Sequence, residues 1–564
     1  MIFISIVDWS TIAFLPRRRP MSLKPLLEPQ SIAVIGASRE PQKVGHRVFR
    51  NLVDFKFKGA LFPVNPKADE ILGLRCYPSI RDVPGPVDMA VICVPARIVP
   101  AVARECGEKG VRSLVVISAG FSEIGREGAE LERRLTSVCR TYGMRMQGPN
   151  CLGIINAHVR VNASFAPTNP MPGGVAFVSQ SGALGSSILN WALQKGIGFS
   201  IFASLGNEAD IDSADFLEAL SMDERTRVIA LYMEGVKNGS KFLESAARAV
   251  RRKPVVALKA GTTDVGMRAV SSHTGSLAGS DAAFSAAFEK SGVIRVATLE
   301  ELFALILAFE AQPIPRSRNV LIVTNGGGPG ILAADACEKM GLELPLLEKP
   351  LIERLRAELP PQASFHNPLD VLGDADDARY RLALDVALQS ENVDSVIVVV
   401  TPQAMTPSER IARVVADASR AGKKPIIAAF MGYDESSGTI RAIREGRVPN
   451  YEFPEQAAFV IANMCRYGEK VAEKEQPEMP SLSFDDLRIE SIVKGARGEG
   501  RATLTVQESI SLAEAAGIPV PRSRLCTSGE EAAKTSAEIG FPVALKIVSP
   551  EIVHKTDLGG VALG

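Results

Sequence analysis

The chain is poor in the residues that mark several common classes of protein. Only 5 of its 564 residues are histidine and 6% are aromatic, while Lys+Arg and Asp+Glu both number 64, which gives zero net charge. Because there is no basic excess, a nucleic-acid-binding surface is not indicated. No apolar run is long enough to span a membrane, so we expect a protein of the cytoplasm that acts away from membranes.

Cysteine pairs are also missing. The 8 cysteines are scattered and none forms a Cys-x-x-Cys motif, so the sequence predicts neither a zinc site nor a disulfide framework. No other clustering of metal-ligand residues predicts a metal held by protein side chains. This cysteine usage is typical of a reducing compartment.

Ala, Val, Ile and Gly are abundant instead, which is typical of parallel α/β sheets, and the length suffices for about four domains. Short apolar strands alternate with helical stretches, so we predict doubly wound sheets. The predicted boundaries are an N-terminal extension at 1–22, α/β domains at 23–156, 172–312 and 316–467, a linker at 468–500, and a fourth unit at 501–564. Met21 resembles a natural start, so residues 1–20 are expected to be an upstream extension of the reading frame.

The first domain carries a turn suited to a phosphate. Its strand ends at Gly36, Ala37 and Ser38, and Lys43, Val44 and Gly45 open the next helix, whose N-terminus favours an anion. The second strand leads into Asn65, Pro66 and Lys67, without the acidic residue that would bind a ribose hydroxyl. The pattern favours coenzyme A over NAD. The alternative is a tight turn of the kind found in any α/β domain.

The second and third domains resemble distant duplicates, since each opens with a strand, a turn of small residues and a helix. The two turns consist of Ser179, Gln180, Ser181 and Gly182, and of Asn325, Gly326, Gly327 and Gly328. Each turn can present free backbone N–H groups to an anion, and together they could clamp one phosphoryl group. The alternative for each turn is tight packing alone.

His273 lies among small and hydroxylated residues downstream of a predicted buried strand, and we expect it in an accessible loop. Without Cys or His nearby, a nucleophilic imidazole is favoured over a metal ligand. Glu234 ends an apolar strand, where a carboxylate could hold the far nitrogen of that imidazole. The alternatives are a histidine that only hydrogen-bonds a carbonyl group, and a solvated acid at the end of a strand.

Together these motifs resemble the nucleoside-diphosphate-forming acyl-CoA synthetases, typified by ADP-forming acetate–CoA ligase and related to succinyl-CoA synthetase. The resemblance covers about residues 23–564. It rests on the turns above and on Gly148–Gly153, Ser272–Gly275 and Lys546–Gly560.

The resemblance implies a Rossmann-like CoA-binding domain, two flavodoxin-like ligase domains and the start of an ATP-grasp domain. It implies that His273 is phosphorylated, that Glu234 stabilises it, and that His554 passes the phosphate to the nucleotide. The residues implied for CoA are Gly36, Ala37, Ser38, Lys43, Val44, Gly45, Asn65, Pro66, Lys67, Val94, Pro95, Asn150 and Cys151. Those implied for phosphate are the two turns, and Lys546 is implied for the nucleotide.

The implied enzyme is an acid–thiol ligase that interconverts acyl-CoA, ADP and phosphate with a carboxylic acid, CoA and ATP, and that uses coenzyme A, ATP or ADP, and Mg²⁺. The chain stops at Gly564, early in an ATP-grasp domain. We therefore expect an incomplete nucleotide module, and either a homo-oligomer or a chain that needs a second polypeptide to supply the rest of the ATP-grasp domain. The alternatives are a non-catalytic CoA-binding regulatory protein and an inactive truncated gene product. A protein acetyltransferase would need an appended module for which no residues remain.

Overall fold

The computed structural model describes residues 22–274, 280–434, 436–473, 484–549 and 560–563, without the side chains of 270–274. The chain forms two compact units, residues 1–473 and residues 474–564. No helix in the described ranges is long and apolar enough to cross a membrane.

The first sheet has five parallel strands in the order β2-β1-β5-β6-β7. Its region comprises α1 (Lys24–Leu27), β1 (Ser31–Ile35), α2 (Val44–Asp54), β2 (Ala60–Val64), β3 (Glu70–Ile71), β4 (Leu74–Arg75), β5 (Met89–Ile92), α3 (Val99–Lys109), β6 (Ser113–Val116), α4 (Arg126–Tyr142) and β7 (Arg145–Gln147). The strand order reverses between β1 and β5. Ligands of doubly wound sheets bind at such a switch point, beyond the carboxyl ends of the strands.

The second sheet has the order β14-β13-β12-β10-β11-β8-β9, in which β8 and β9 are antiparallel and the other strands are parallel. Its region comprises β8 (Gly153–Asn156), β9 (Val161–Ser164), β10 (Pro172–Ser179), α5 (Gly182–Lys195), β11 (Phe199–Ser204), α6 (Ser213–Met222), β12 (Val228–Met233), α7 (Gly239–Val250), β13 (Val255–Lys259), α8 (Asp264–Thr274), α9 (Asp281–Ser291), β14 (Ile294–Val296) and α10 (Leu299–Ala311). Here the switch point lies between β10 and β12.

The third sheet has four parallel strands in the order β16-β15-β17-β18, so its switch point lies between β15 and β17. Its region comprises β15 (Val320–Thr324), α11 (Gly327–Lys339), α12 (Lys349–Glu358), β16 (Leu369–Asp370), α13 (Asp377–Gln389), β17 (Ser395–Val400), α14 (Ser408–Arg420), β18 (Ile426–Phe430), α15 (Gly438–Glu445) and α16 (Pro454–Ala472).

The central strands are largely apolar because helices cover both faces of each sheet. Every residue of β13, β15 and β17 is buried. Residues of all three sheets, such as Ile32, Val178 and Ile322, belong to one continuous core. The Tyr451 hydroxyl, buried in that core, donates to the carbonyl of Ala304 at 2.6 Å and joins the third region to α10.

The second unit, residues 474–564, contains α17 (Asp486–Gly498), α18 (Val506–Ala515), α19 (Gly529–Ile539) and an antiparallel pair of strands, β19 (Ala544–Lys546) and β20 (Val561–Leu563). Asp485 caps α17, and Arg488 pairs with Glu514 of α18 at 2.9 Å.

Two local expectations were wrong, and one hairpin was not predicted. The segment predicted as an aperiodic linker contains α17, whose packing against α18 stabilises a weakly patterned sequence. The strands β8 and β9 were not predicted, because four-residue strands carry little periodicity. His273 was expected in a loop, but its backbone lies in α8, which begins at Asp264 with an acidic residue suited to a helix N-terminus.

Gln147 of β7 connects the first sheet to the second. Its buried amide donates to the carbonyls of Gly153 at 2.9 Å and Ser204 at 2.7 Å.

We predict that Gln147→Ala lowers the free energy of unfolding of this unit by about 1–3 kcal/mol, since two buried carbonyls lose their donor. Urea denaturation checks this. Gln194→Ala, on the exposed face of α5, is the matched control and should change stability by no more than about 0.5 kcal/mol.

Candidate functional site

The turn after β1 is built for a close approach of backbone. Gly36 has φ +89°, and a Cβ there would lie 2.8 Å from the carbonyl oxygen of Cys93. Gly45 in the first turn of α2 faces the carbonyl of Gly36, so any side chain at 45 would clash with the turn. The start of α2 is therefore held against the end of β1, as a phosphate-binding helix requires.

The residues predicted beyond β2 meet this turn. The Asn65 amide donates to the carbonyl of Ala37 at 2.7 Å, and the backbone N–H of Lys67 donates to the Asn65 side chain at 2.9 Å. Lys43 and Lys67 are both exposed. Two cations thus border a turn that admits backbone contact, an arrangement suited to a phosphorylated ligand.

The far side of the same switch point is formed by the loop after β5. The Ser118 hydroxyl donates to the carbonyl of Val94 at 2.5 Å, and the N–H of Asn150 donates to the carbonyl of Ser118 at 3.0 Å. Cys151 differs from its neighbours, because it is 4% exposed and its thiol donates to the carbonyl of Val116 at 3.4 Å. Burial raises the pKa of Cys151 to about 12, so the thiol stays neutral and serves packing.

In the second sheet, Gln180 bridges the switch point. Its side-chain oxygen accepts from the backbone N–H groups of Glu234 and Gly235, the latter at 3.0 Å, and its amide donates to the carbonyl of Gly235 at 2.8 Å. Glu234 is 7% exposed. The turn after β10 and the acid after β12 are therefore locked into one rigid group.

The same turn begins a helix. The Ser179 hydroxyl donates to the carbonyl of Ser181 at 2.8 Å, and Ser181 caps α5 by accepting from the N–H of Leu184. Gly182 begins the helix, and a Cβ there would meet nothing closer than 3.6 Å. The first turn of α5 is partly exposed, with Ser181 and Gly182 half-buried and Ala183 exposed, so the positive end of the helix dipole is accessible to an anion.

The third sheet repeats this arrangement. Asn325 after β15 donates to the carbonyl of Thr401 after β17 at 3.1 Å and accepts from the N–H of Thr401 at 2.8 Å. Gly326 is the N-cap of α11, and a Cβ at Gly328 would meet nothing within 4 Å. A side-chain amide therefore bridges the switch point in both sheets, in support of the predicted duplication. That the two helix N-termini clamp one phosphoryl group remains a prediction.

The structure describes the catalytic candidates His273, Glu234 and His554 to different extents. Backbone atoms of α8, which contains His273, lie within 8 Å of segment Ser122–Ile124 of the first region, measured between Cα atoms. The His273 side chain and the whole of His554 lie outside the described residues. Lys546 belongs to the second unit, where it pairs with Val561 as an exposed strand residue.

Sequence reasoning missed two buried charged residues beside these candidates. Lys259 ends β13, next to β12, and its ammonium lies 4.8 Å from the centre of the Phe284 ring. Burial lowers the pKa of Lys259. Glu208 lies in the loop after β11 and is 7% exposed. A charged residue at the end of an apolar strand was a usable signal for Lys259, whereas Glu208 stands in an acidic turn that resembles a solvated loop.

Comparisons with known proteins cover most of the chain. Models of protein families match residues 30–157 as a CoA binding domain, 172–309 as a succinyl-CoA ligase like flavodoxin domain, 320–471 as a ligase-CoA domain and 495–564 as an ATP-grasp domain.

Similar proteins span most of the same length. The chain is 42% identical to the ADP-forming acetate–CoA ligase I of Archaeoglobus fulgidus over 538 residues, or 95% of this chain and 77% of that protein. It is 42% identical to the alpha subunit of ADP-forming acetate–CoA ligase I of Pyrococcus furiosus, over 81% of this chain and 100% of that subunit. The dinucleotide-forming acetyl-coenzyme A synthetase 1 of Ca. Korarchaeum cryptofilum, solved in complex with phosphate and ADP, is 39% identical with a TM-score of 0.77, covering 80% of this chain and 98% of that one.

The Gln180 bridge yields a direct prediction. In Gln180→Ala, the N–H groups of Glu234 and Gly235 lose their acceptor, so the peptide that contains them should exchange its amide hydrogens at least about 10-fold faster. Hydrogen–deuterium exchange with mass spectrometry measures this. Gln194→Ala should leave that peptide unchanged. Equal protection in Gln180→Ala and wild type would contradict the locking role.

Proposed function

The chain belongs to the family of ADP-forming CoA ligases, and we propose that it interconverts acyl-CoA, ADP and phosphate with a carboxylic acid, CoA and ATP through a phosphohistidine at His273. The observation that carries this proposal is the Gln180 bridge. It fixes the helix N-terminus at Ser181 and the backbone of Glu234 at the ends of adjacent strands, and the next strand leads into the helix of His273.

The first half of the reaction uses the first three sheets. An oxygen of inorganic phosphate attacks the thioester carbonyl, the C–S bond breaks, and CoA leaves as the acyl phosphate forms. An imidazole nitrogen of His273 then attacks phosphorus, the bond to the acyl oxygen breaks, and the carboxylate leaves. Glu234 steadies the imidazole, and the N-termini of α5 and α11 neutralise the phosphoryl oxygens.

The second half uses the ATP-grasp segment. His554 takes the phosphoryl group and passes it to ADP, and Lys546 contacts the nucleotide. The described ranges contain no group of three or more His, Cys, Asp or Glu residues that could hold a metal ion. Since the matching protein of Pyrococcus furiosus is an alpha subunit, we further propose that this chain works in a homo-oligomer or with a second chain.

The cofactor site is proposed to take coenzyme A. It consists of the turn Gly36–Ser38, the start of α2, Asn65–Lys67, Val94–Pro95, and Asn150–Cys151, to which the buried Cys151 contributes packing only. The glycine contacts and the two exposed lysines support a ligand with phosphates. The residues directly after β2 are Asn65, Pro66 and Lys67, so no carboxylate for a ribose hydroxyl stands at the end of that strand.

We predict that CoA binds to the purified chain and that NAD does not. Lys67→Ala should weaken CoA binding about 3–10-fold, because a charge-assisted contact to phosphate is lost. Isothermal titration calorimetry measures both ligands. The matched control is Lys58→Ala, since Lys58 is an exposed lysine at the opposite, amino end of β2. Binding of NAD without CoA would contradict this assignment.

We also predict that acyl-CoA and labelled phosphate label the chain on His273. The linkage should be acid-labile and base-stable, as in a phosphoramidate. His273→Ala should abolish labelling, and Glu234→Gln should slow it by about 10²–10⁴-fold, because an orienting group is lost. His554→Ala should leave this step intact.

The matched control for labelling is His366→Ala, which removes an exposed histidine of the third region. Label that persists in His273→Ala, or that reaches His554 without His273, would overturn the assigned roles. Peptide mapping of the labelled chain distinguishes these results.

A further inference from the structure

Glu208 is a buried acid at the junction of the first two sheets. It follows β11 with φ +50°, and its side-chain oxygen Oε1 is buried with no hydrogen-bond partner in the described part of the chain. An acid in the left-handed region with a buried unpaired oxygen is costly. Such a cost is often tolerated where a residue serves a site.

The loop around Glu208 does not need the carboxyl group to hold its shape. The Lys237 ammonium donates to the carbonyls of Asn207 at 2.7 Å and Glu208 at 3.0 Å. The N–H of Asn207 donates to the carbonyl of Pro149 at 2.9 Å. The Asn207 amide donates to Glu123 at 2.6 Å and Glu132 at 2.9 Å. Backbone groups, Asn207 and Lys237 thus anchor the loop, and the Glu208 carboxyl accepts from the N–H of Ser213 beside them.

The carboxyl group faces the Gln180 amide. Both lone-pair directions of the Gln180 oxygen are used by the N–H groups of Glu234 and Gly235, and one amide hydrogen is donated to the carbonyl of Gly235. A hydrogen bond from the Gln180 side chain lowers the pKa of Glu208, and the second amide hydrogen is the donor that remains for it. Glu208 therefore completes the hydrogen bonding of the residue that bridges the switch point.

The charge of Glu208 is sensitive to its surroundings. Burial, together with the charge of Asp212, raises its pKa to about 7, against the lowering effect of Gln180, Lys237 and the N–H of Ser213. The carboxyl is ionised above this range and neutral below it. An ionised carboxylate is the stronger acceptor for the Gln180 amide.

We propose that Glu208 is a positioning residue of the phosphohistidine site, whose carboxylate fixes the Gln180 amide and thereby the backbone that carries Glu234. This inference rests on the proposed function. It predicts that the rate of His273 phosphorylation depends on the ionisation of a residue that does not itself belong to the reacting groups.

The test compares labelling rates of wild type, Glu208→Gln and Glu208→Ala between pH 5.5 and 8.5, each with acyl-CoA and labelled phosphate. Glu208→Gln keeps the shape and one acceptor oxygen but cannot ionise. The ratio of wild-type to Glu208→Gln rates should therefore rise with pH through about 7, from near 1 to about 10. Ionisation of phosphate and of His273 is common to both proteins and cancels in this ratio.

Glu208→Ala removes the acceptor altogether and should lower the rate about 10–100-fold, with no step near neutral pH. Thermal unfolding of each variant checks that the chain still folds. The matched control is Glu348→Gln. Glu348 is also a carboxyl with a buried oxygen unpaired among the described residues, but it accepts from the N–H of Glu391 at 2.7 Å, at the start of α12. The ratio of the wild-type to the Glu348→Gln labelling rate should stay near 1 at every pH.

The outcomes separate the two hypotheses. A folded wild-type chain that takes no label contradicts the proposed function and the inference with it. A wild-type chain that labels normally, while both Glu208 variants match it at every pH, contradicts the inference alone. A loss in Glu208→Ala with a flat ratio for Glu208→Gln also contradicts it, because packing would then explain the effect.

Discussion

Two side-chain amides, Gln180 and Asn325, determine how the second and third sheets present their switch points. In each sheet the amide both donates and accepts across the gap between neighbouring strands. An amide is suited to this task, because one rigid plane carries a donor and an acceptor at fixed separation. The helix that follows each turn begins from a fixed N-cap, so its free N–H groups have a defined direction.

This constraint couples regions that the sequence keeps far apart. Gln180 accepts a hydrogen bond from the N–H of Glu234, which lies 54 positions further along the chain. The loop after β11 contacts the first region through the hydrogen bond from Asn207 to Glu123. Because β10, β11 and β12 are buried strands of one sheet, the loops at their ends cannot move independently. The candidate site is therefore a property of the junction between sheets, and no single motif contains it.

The sequence predicted the elements whose pattern is local. Strands β1, β2 and β15 were expected almost where the structure has them, since each is an apolar run followed by a turn residue. The turns at Gly36, Gln180 and Asn325 were identified for the same reason. Glu208 was missed because its burial results from contacts with Gln180 and the first region, which no local pattern encodes. The backbone at His273 was misassigned because Ser and His are indifferent helix formers, and the preceding residues extended the helix over them.

The antiparallel hairpin of β8 and β9 bears on how the molecule can be divided. The hairpin pairs with β11 and forms one edge of the second sheet, although it immediately follows the last strand of the first. A protease cut or a gene division after β9 would strip that edge and leave the N–H and C=O groups of β11 open to another chain. A division after β9 thus separates the first and second sheets at the cost of an exposed strand that favours self-association, whereas a division between β7 and β8 keeps the hairpin on β11.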